Sequence, residues 1–206
     1  MRKHKPYFIT FEGAEGAGKS TQIRLAEQYL KQKGYSVLVL REPGGTRIGE
    51  AIRKVILNKS RKEMRPETEL LLYLACSAQI VKEKISPSLQ QGKIVICDRF
   101  EDSTLAYQGF GRKIPLASIE VISKLVVRGS LVPDLTFVLD LDPRCGLKRG
   151  GRIDRIERES YLFHDRVRKG FLRLAKRERK RCNVIDAAQS IEAVAKKVKE
   201  ALDRVF

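Results

Sequence analysis

The chain has 206 residues, 42% of them hydrophobic and 33% charged, with a formal net charge of +17 at pH 7. This composition predicts one large globular domain with a well-buried core, and the basic excess favours anionic partners such as nucleotides or nucleic acid. No apolar stretch approaches the roughly 20 residues that span a membrane, so we expect a cytoplasmic protein without a membrane partner.

Short β-branched runs alternate with helical patterns along the chain. The candidate strands are Tyr7–Glu12, Ser36–Arg41, Ile94–Asp98, Leu135–Leu141 and Asn183–Asp186. The candidate helices are Lys19–Gln32, Arg47–Leu57, Pro66–Gln91, Pro115–Arg128, Pro143–Lys148, Arg158–Arg177 and Ile191–Val205. We expect Pro87 to interrupt the third of these helices near its end. Since most strands are continuously apolar, the pattern predicts a single α/β domain over residues 1–206, with a five-stranded parallel sheet and helices on both faces.

The four cysteines show no pattern that indicates a metal site or a redox pair. They are Cys76, Cys97, Cys145 and Cys182, scattered and without a neighbouring histidine at zinc-ligand spacing. We therefore predict reduced, mostly buried thiols.

The first strand runs directly into a phosphate-binding sequence. Gly13, Gly18, Lys19 and Ser20 fit the P-loop pattern G-x-x-x-x-G-K-[ST]. Glycines bring successive N–H groups close to phosphate oxygens, and the following helix points its positive dipole end at the same anion. Lys19 is expected to reach the β- and γ-phosphates, and Ser20 to offer its hydroxyl to Mg²⁺. The predicted nucleotide-binding residues are Gly13, Ala14, Glu15, Gly16, Ala17, Gly18, Lys19, Ser20 and Thr21.

Charged side chains follow the third predicted strand, where a parallel sheet binds its ligands. There Asp98 is expected near Mg²⁺, and Arg99 is expected to hold a second phosphate. The alternative is a simple ion pair that closes the strand end.

Three further side chains have two interpretations each. A carboxylate at Glu15 would repel the donor phosphates, so we expect it to face an acceptor hydroxyl or the hydration shell of the metal; the alternative is an exposed loop residue. Tyr73 and Tyr107 are each either core aromatics or part of a base-binding pocket, because both roles select the same residue types.

The basic, glycine-interrupted segment Arg144–Arg155 is interpreted as part of a short lid at about 144–157. The variable positions of the P-loop contain no arginine, so the charge that stabilises a transferring phosphoryl group must come from elsewhere. Arg149 and Arg152 are the favoured candidates. A solvated basic loop is the alternative.

Together these motifs resemble those of the thymidylate kinase family, and the resemblance covers nearly the whole chain. It rests on the segments Phe11–Thr21, Arg41–Thr46, Asp98–Phe100, Ser103–Thr104, Ala106–Gly109, Pro133–Thr136 and Asp154–Glu157. The resemblance implies a three-layer P-loop kinase fold, transfer of the γ-phosphoryl group of ATP to dTMP with Mg²⁺, and a homodimer. The arginine-free P-loop resembles that of the bacterial members.

The resemblance also implies roles for individual side chains. Glu15 matches a carboxylate near the sugar 3′-hydroxyl and the metal. Arg99 and Arg53 match the arginines that contact the dTMP phosphate, and Tyr73 matches the aromatic that stacks on thymine. Tyr107 matches the residue that crowds the 2′ position of the sugar. Two further substrate-binding positions are Thr104 and Gln108.

One position departs from the family pattern. Four residues after the stacking aromatic, the family usually has an arginine that hydrogen-bonds the base, and this chain has Ser77. We therefore expect a rearranged base contact, with Gln108 as one candidate. A kinase for another monophosphate is the first alternative function. A nucleic-acid-binding P-loop ATPase is a second, but no nucleic-acid-reading motif is present, so we predict no specific nucleic-acid partner.

Overall fold

The computed structural model describes residues 5–128, 131–150 and 154–206. Within these ranges a five-stranded sheet has the strand order β2-β3-β1-β4-β5, and all its pairings are parallel. The strands are β1 (Tyr7–Glu12), β2 (Val37–Arg41), β3 (Ile94–Asp98), β4 (Leu135–Asp140) and β5 (Cys182–Asp186). The predicted parallel sheet is therefore confirmed, and the strand boundaries differ from the predicted ones by at most one residue.

The described helices surround this sheet. They are α1 (Lys19–Gln32), α2 (Arg47–Leu57), α3 (Pro66–Ile80), α4 (Ser86–Gln90), α5 (Glu101–Thr104), α6 (Leu116–Ser123), α7 (Pro143–Gly150), α8 (Tyr161–Arg177) and α9 (Ile191–Asp203). π-helical turns at Val81–Ile85, Leu105–Gly111 and Lys124–Arg128 follow α3, α5 and α6.

The helix predicted over Pro66–Gln91 is divided in the structure. A π-helical turn at Val81–Ile85 separates α3 from α4, and Pro87 lies in the first turn of α4. A proline lacks the N–H that a continuous helix needs, and its ring clashes with the carbonyl of the preceding turn. The interruption therefore lies on the N-terminal side of Pro87.

The helical segment that runs through α5 and the π-helical turn after it is not among the predicted helices. Gly109 and Gly111 lower its intrinsic helix propensity, and its residues show no amphipathic period because almost all of them are buried. Tertiary contacts with α8 hold this segment in place. The missed segment carries several of the side chains discussed below.

Alternating side chains of the strands build two apolar layers. Phe8 and Val95 pack on one face of the sheet, against α3 and α8. Ile9 and Phe137 pack on the other face, against α1 and α9. Helices therefore cover both faces, as the sequence predicts. None of the helices within the described residues is long and apolar enough to cross a membrane.

The free thiols are not all in this core. Cys76 and Cys97 are buried and Cys182 is half-buried, but Cys145 is exposed on α7. The prediction of buried thiols is wrong for Cys145, because its helix contributes only part of its surface to the packing.

A buried ion pair links the helical layer to the sheet. The guanidinium of Arg181 donates to both carboxylate oxygens of Asp102, at 2.7 and 2.9 Å, and to the hydroxyl of Thr136 at 2.8 Å. Thr136 in turn shares a hydrogen bond with Thr10 on the neighbouring strand. Both charged side chains are nearly enclosed, so each depends on the other for solvation.

We expect the Arg181→Ala substitution to lower the free energy of unfolding by about 3–5 kcal/mol, because it leaves the carboxylate of Asp102 buried and unpaired. Chemical denaturation monitored by circular dichroism measures this change. The matched control is Arg177→Ala, which removes an ion pair with Glu120 between half-exposed side chains. That control should cost no more than about 1 kcal/mol. Equal losses from the two variants would contradict the structural role of Arg181.

Candidate active site

Two cavities meet where the carboxyl ends of β1, β2 and β3 lie side by side. The first, here called the inner cavity, is lined by Glu15, Glu42, Pro43, Arg53, Leu57, Tyr73, Arg99, Phe100, Ser103, Thr104, Tyr107, Gln108, Asp154 and Ile156. The second, the P-loop cavity, is lined by Glu15, Gly16, Ala17, Gly18, Lys19, Ser20, Thr21, Arg41, Glu42, Arg53, Asp98 and Arg99. Glu15, Glu42, Arg53 and Arg99 line both cavities, so two ligands bound in them would meet at these ionisable side chains.

The P-loop has little freedom to move away from the sheet. At Gly13 the backbone has φ 138°, and a Cβ there would lie 2.5 Å from the carbonyl oxygen of Leu139 on β4. The ammonium of Lys19 donates to the carbonyl oxygens of Gly13 and Ala14 at 3.1 and 3.0 Å. Burial and the nearby guanidinium of Arg99 lower the pKa of Lys19 from its ordinary value. The loop is thus a pre-shaped cradle with its lysine at the centre.

Arg99 lies between the two cavities in a left-handed backbone conformation, with φ 68°. Its guanidinium donates to the carbonyl of Gly13 at 2.9 Å, to Ser103 at 3.2 Å and to Glu15 at 2.8 Å. It also lies over the ring of Tyr107, 5.0 Å from the ring centre. A non-glycine residue in this conformation costs about 1–3 kcal/mol, and such strain is concentrated at functional sites. The hydrogen bonds to Gly13, Ser103 and Glu15 therefore fix the guanidinium of Arg99 beside the P-loop.

Glu15 lies at the junction of the two cavities. Its carboxylate accepts from Arg99 and, at 2.8 Å, from the hydroxyl of Tyr107. Burial alone would raise the pKa of Glu15, but the positive charges of Arg99 and Lys19 outweigh burial and hold this pKa at about 2. The carboxylate is thus ionised at neutral pH. The alternative of a solvated loop residue is wrong, because Glu15 is bonded and mostly buried.

Ser20 and Asp98 lie together at the N-terminal end of α1. The hydroxyl of Ser20 lies 3.4 Å from Asp98 Oδ2, while Asp98 Oδ1 is buried and, among the described residues, accepts no hydrogen bond. In the described part of the chain no group of three or more histidine, cysteine, aspartate or glutamate side chains could hold a metal. One carboxylate and one hydroxyl suit Mg²⁺, which takes its remaining ligands from water and phosphate oxygens.

The structure brings the predicted substrate-binding side chains together in the inner cavity. Tyr73 and Thr104 line it, and so do Tyr107 and Gln108. Tyr107 packs edge-on against Phe171, as a core aromatic does, and its hydroxyl donates to Glu15 at the cavity wall. Tyr73 is half-buried at the cavity wall. Arg53 lines the cavity from α2 and donates to the carbonyl of Pro43 at 2.8 Å.

Ser77 does not take the place of a base-contacting side chain. Its hydroxyl is buried and donates to Glu42 Oε2 at 2.7 Å. Glu42 is the group that lines the cavity, and its Oε1 is buried and accepts no hydrogen bond from the described residues. Burial raises the pKa of Glu42 to about 8, against the opposing effect of the Ser77 hydrogen bond. Glu42 is not among the predicted site residues, and only its position after β2 could have indicated a role.

The predicted lid segment is partly helical. Residues 143–150 form α7, Arg149 is exposed on this helix, and Arg152 lies outside the described residues. Arg155 is engaged elsewhere, since it donates to Glu69 and to the carbonyl of Ile56. Next to it, Asp154 lines the inner cavity.

Helix α7 touches the P-loop directly through two glycines. A Cβ at Gly16 would lie 2.2 Å from the carbonyl oxygen of Gly146, and a Cβ at Gly146 would lie 2.1 Å from the carbonyl oxygen of Glu15. Real Cβ atoms do not approach backbone atoms this closely. The backbone of α7 therefore fixes the position of the P-loop, and with it the carboxylate of Glu15.

The chain is similar in sequence and in fold to known proteins. A family model described as thymidylate kinase matches residues 11–198. The chain is 46% identical to the thymidylate kinase of Caldanaerobacter subterraneus over 198 residues, which is 95% of this chain and 94% of the relative. It is 49% identical to that of Geobacter sulfurreducens over 205 residues, covering 95% and 96% of the two chains. The crystal structure of thymidylate kinase from Ehrlichia chaffeensis superposes with a TM-score of 0.80 at 37% identity, covering 96% of this chain and 98% of that one.

We expect Gly146→Ala to lower enzymatic turnover by about a hundredfold. The added Cβ would push the P-loop backbone away by up to about 1 Å, and this shift misplaces Lys19 and Glu15 together. Steady-state kinetics measures this loss, and circular dichroism checks that the fold is kept. The adjacent Cys145→Ala substitution also places alanine on α7, at an exposed position, and should leave turnover unchanged. If the Gly146→Ala variant turned over as fast as the wild type, the contact between α7 and the P-loop would have no functional role.

Proposed function

The chain belongs to the thymidylate kinase family, and we propose that it transfers the γ-phosphoryl group of ATP to dTMP across the junction of the two cavities, giving ADP and dTDP. The observation that carries this proposal is the set of charged side chains shared by both cavities. A phosphoryl group that passes from one cavity to the other must pass Glu15, Arg53 and Arg99. Phosphoryl transfer needs positioned charge at this point more than it needs covalent chemistry.

The P-loop cavity is proposed to bind ATP. The backbone N–H groups of residues 13–21 would surround its phosphates, and α1 points its positive end at them. Lys19 would exchange its present bonds to the carbonyls of Gly13 and Ala14 for the phosphate oxygens. The same lysine would neutralise charge that develops on the transferring group.

Mg²⁺ is proposed to bind beside the P-loop at Ser20 and Asp98. The unpartnered buried oxygen of Asp98 and the neighbouring hydroxyl supply two ligands of the type that Mg²⁺ prefers. When bound, the ion would supply positive charge to the β- and γ-phosphate oxygens.

The inner cavity is proposed to bind dTMP. Arg99 and Arg53 would hold its phosphate at the junction, and Tyr73 would stack on the thymine ring. Tyr107, fixed by Glu15, would exclude a 2′-hydroxyl from the space beside the sugar, while Glu15 faces the 3′-hydroxyl. The two remaining polar side chains of the wall, Thr104 and Gln108, would complete the base contacts.

Catalysis is proposed to rest on position and charge. The attacking oxygen belongs to the phosphate of dTMP, which is ionised near neutral pH and needs no general base. Its repulsion from ATP is overcome by Lys19, by Arg99 and by an arginine of the lid at about 144–157. Arg149, exposed on α7, and Arg152 are the candidates for that arginine.

We further propose a cytoplasmic homodimer. Large apolar side chains are exposed on adjacent elements, namely Leu71 on α3 and Val121 and Leu125 on α6 and the turn after it. Leu125 is 85% exposed, which is a costly position for a leucine unless another surface covers it.

The function is tested by a coupled ADP-release assay with dTMP, dUMP, dGMP, UMP and AMP side by side. We expect dTMP to give the highest kcat/KM, with dUMP next, because the two bases share the same hydrogen-bonding edge. Lys19→Ala should lower turnover on dTMP by at least about a hundredfold while the fold is kept.

The control for Lys19→Ala is Lys31→Ala on the same helix, which removes only an exposed pair with Glu27. It should behave as the wild type does. A purine monophosphate as the preferred substrate would overturn the proposed function, and a folded, fully active Lys19→Ala variant would overturn the role of the P-loop.

Ser77→Arg is expected to tighten dTMP binding several-fold with little change in kcat. The introduced guanidinium would pair with the buried, unpartnered oxygen of Glu42 and present its remaining donors to a thymine carbonyl, a gain of about 0.5–1.5 kcal/mol. Isothermal titration calorimetry measures the affinity. Ser77→Met, of similar length but without donors, should not tighten binding. If both variants bind dTMP equally well, side-chain volume rather than hydrogen bonding is responsible.

A further inference from the structure

A fully buried carboxyl group at the end of β1 bridges the turn that carries Arg99. Glu12 is the last residue of β1, the middle strand of the sheet, and has no exposed surface. Its Oε1 accepts from the backbone N–H of Phe100 at 2.8 Å, and its Oε2 shares a hydrogen bond of 2.5 Å with the hydroxyl of Ser103. One side chain of β1 therefore joins the turn after β3 to the helix α5 that follows it.

The hydroxyl of Ser103 is also a partner of Arg99. Arg99 Nη1 donates to Ser103 Oγ at 3.2 Å, and the backbone N–H of Arg99 donates to the carbonyl of Phe11, the neighbour of Glu12, at 2.9 Å. The φ of 68° at Arg99 is a conformation that few residues other than glycine adopt, so the surrounding contacts must enforce it. Glu12 holds the residue that follows this strained position and the side chain that supports the guanidinium.

Glu12 itself has no ligand to bind. It is not among the residues that line the inner cavity or the P-loop cavity. Burial and the nearby carboxylate of Asp102 raise the pKa of Glu12 to about 8, so the group is neutral at pH 7. A neutral carboxyl group has the shape and the hydrogen-bonding capacity of a glutamine amide, with one acceptor end and one donor end. Its two hydrogen bonds therefore define what Glu12 does.

We propose that Glu12 is a positioning residue, whose bridge between Phe100 and Ser103 holds the guanidinium of Arg99 in place for the phosphate of the acceptor nucleotide. The inference rests on the proposed function, in which Arg99 binds that phosphate. It predicts a difference between two ligands, because thymidine has the base and the sugar of dTMP without the phosphate. A misplaced Arg99 weakens the binding of dTMP and leaves the binding of thymidine unchanged.

The experiment measures the affinities of dTMP and thymidine by isothermal titration calorimetry and compares their ratio. Glu12→Met has a similar length but cannot bridge Phe100 and Ser103. It should lower the preference for dTMP by about tenfold or more, because the guanidinium loses its fixed position against a charged ligand. Glu12→Gln can still accept from Phe100 and bond to Ser103, so it should stay within a few-fold of the wild type.

Two further variants keep the test decisive. Glu12→Asp keeps a carboxyl group but is one methylene shorter and cannot reach both partners, so the preference should fall there even if Glu12→Met does not fold. The matched control is Asp102→Asn, which alters a buried carboxylate of α5 that pairs with Arg181 and not with Arg99. This control should lower the free energy of unfolding and retain the wild-type preference for dTMP.

Arg99→Ala separates this inference from the function on which it rests. If Arg99→Ala does not lower the preference for dTMP over thymidine, the proposed function fails and the inference falls with it. If Arg99→Ala does lower it, but folded Glu12→Met and Glu12→Asp keep the preference or lose affinity for both ligands equally, Glu12 is only structural and the inference is wrong. Equal losses in Glu12→Gln and Glu12→Met would also overturn it, because the hydrogen-bonded bridge would then not be responsible.

Discussion

The contact between Arg99 and Glu15 is the interaction on which the rest of the site depends. It joins the end of β3 to the P-loop and lies where the two cavities meet. Arg99 adopts a strained backbone conformation to make it, and the loop carbonyl of Gly13 accepts from the same guanidinium. Because Tyr107 also donates to Glu15, one carboxylate aligns the P-loop, Arg99 and the Tyr107 side of the inner cavity.

The electrostatics of the site follow from which buried carboxylates have a cationic neighbour in hydrogen-bond contact. Glu15 and Glu69 each have one, and their pKa values are lowered despite burial. Glu12 and Glu42 do not, and burial raises the pKa of each to about 8. The charged and the neutral carboxyl groups thus lie within one small region, where arginines decide which of them stay ionised.

The sequence predicts the P-loop part of the site better than the part around the inner cavity. The P-loop is a local motif, and its flanking strand and helix begin and end where the pattern predicts, because glycines and apolar periodicity act over a few residues. The missed helical segment at 101–111 and the buried Glu42 and Glu69 depend on contacts between distant positions. Glu69 lies four residues before Tyr73 in an apolar helix. Its only indication in the sequence was that an acidic residue stood among apolar ones. Nothing in the sequence indicated that Arg112 or Arg155 would pair with Glu69.

The two cavities are built from chain segments of different kinds. The P-loop cavity is built mainly from one stretch of chain, the P-loop with the start of α1. One wall of the inner cavity is built from α3, from the π-helical turn after α5 and from the segment after α7, joined by hydrogen bonds that span 39, 43 and 86 residues to the one carboxylate of Glu69. A substitution at any of these positions alters the wall without touching the phosphates. The shape of this wall is therefore a property of the tertiary network, whereas the P-loop is a local structure.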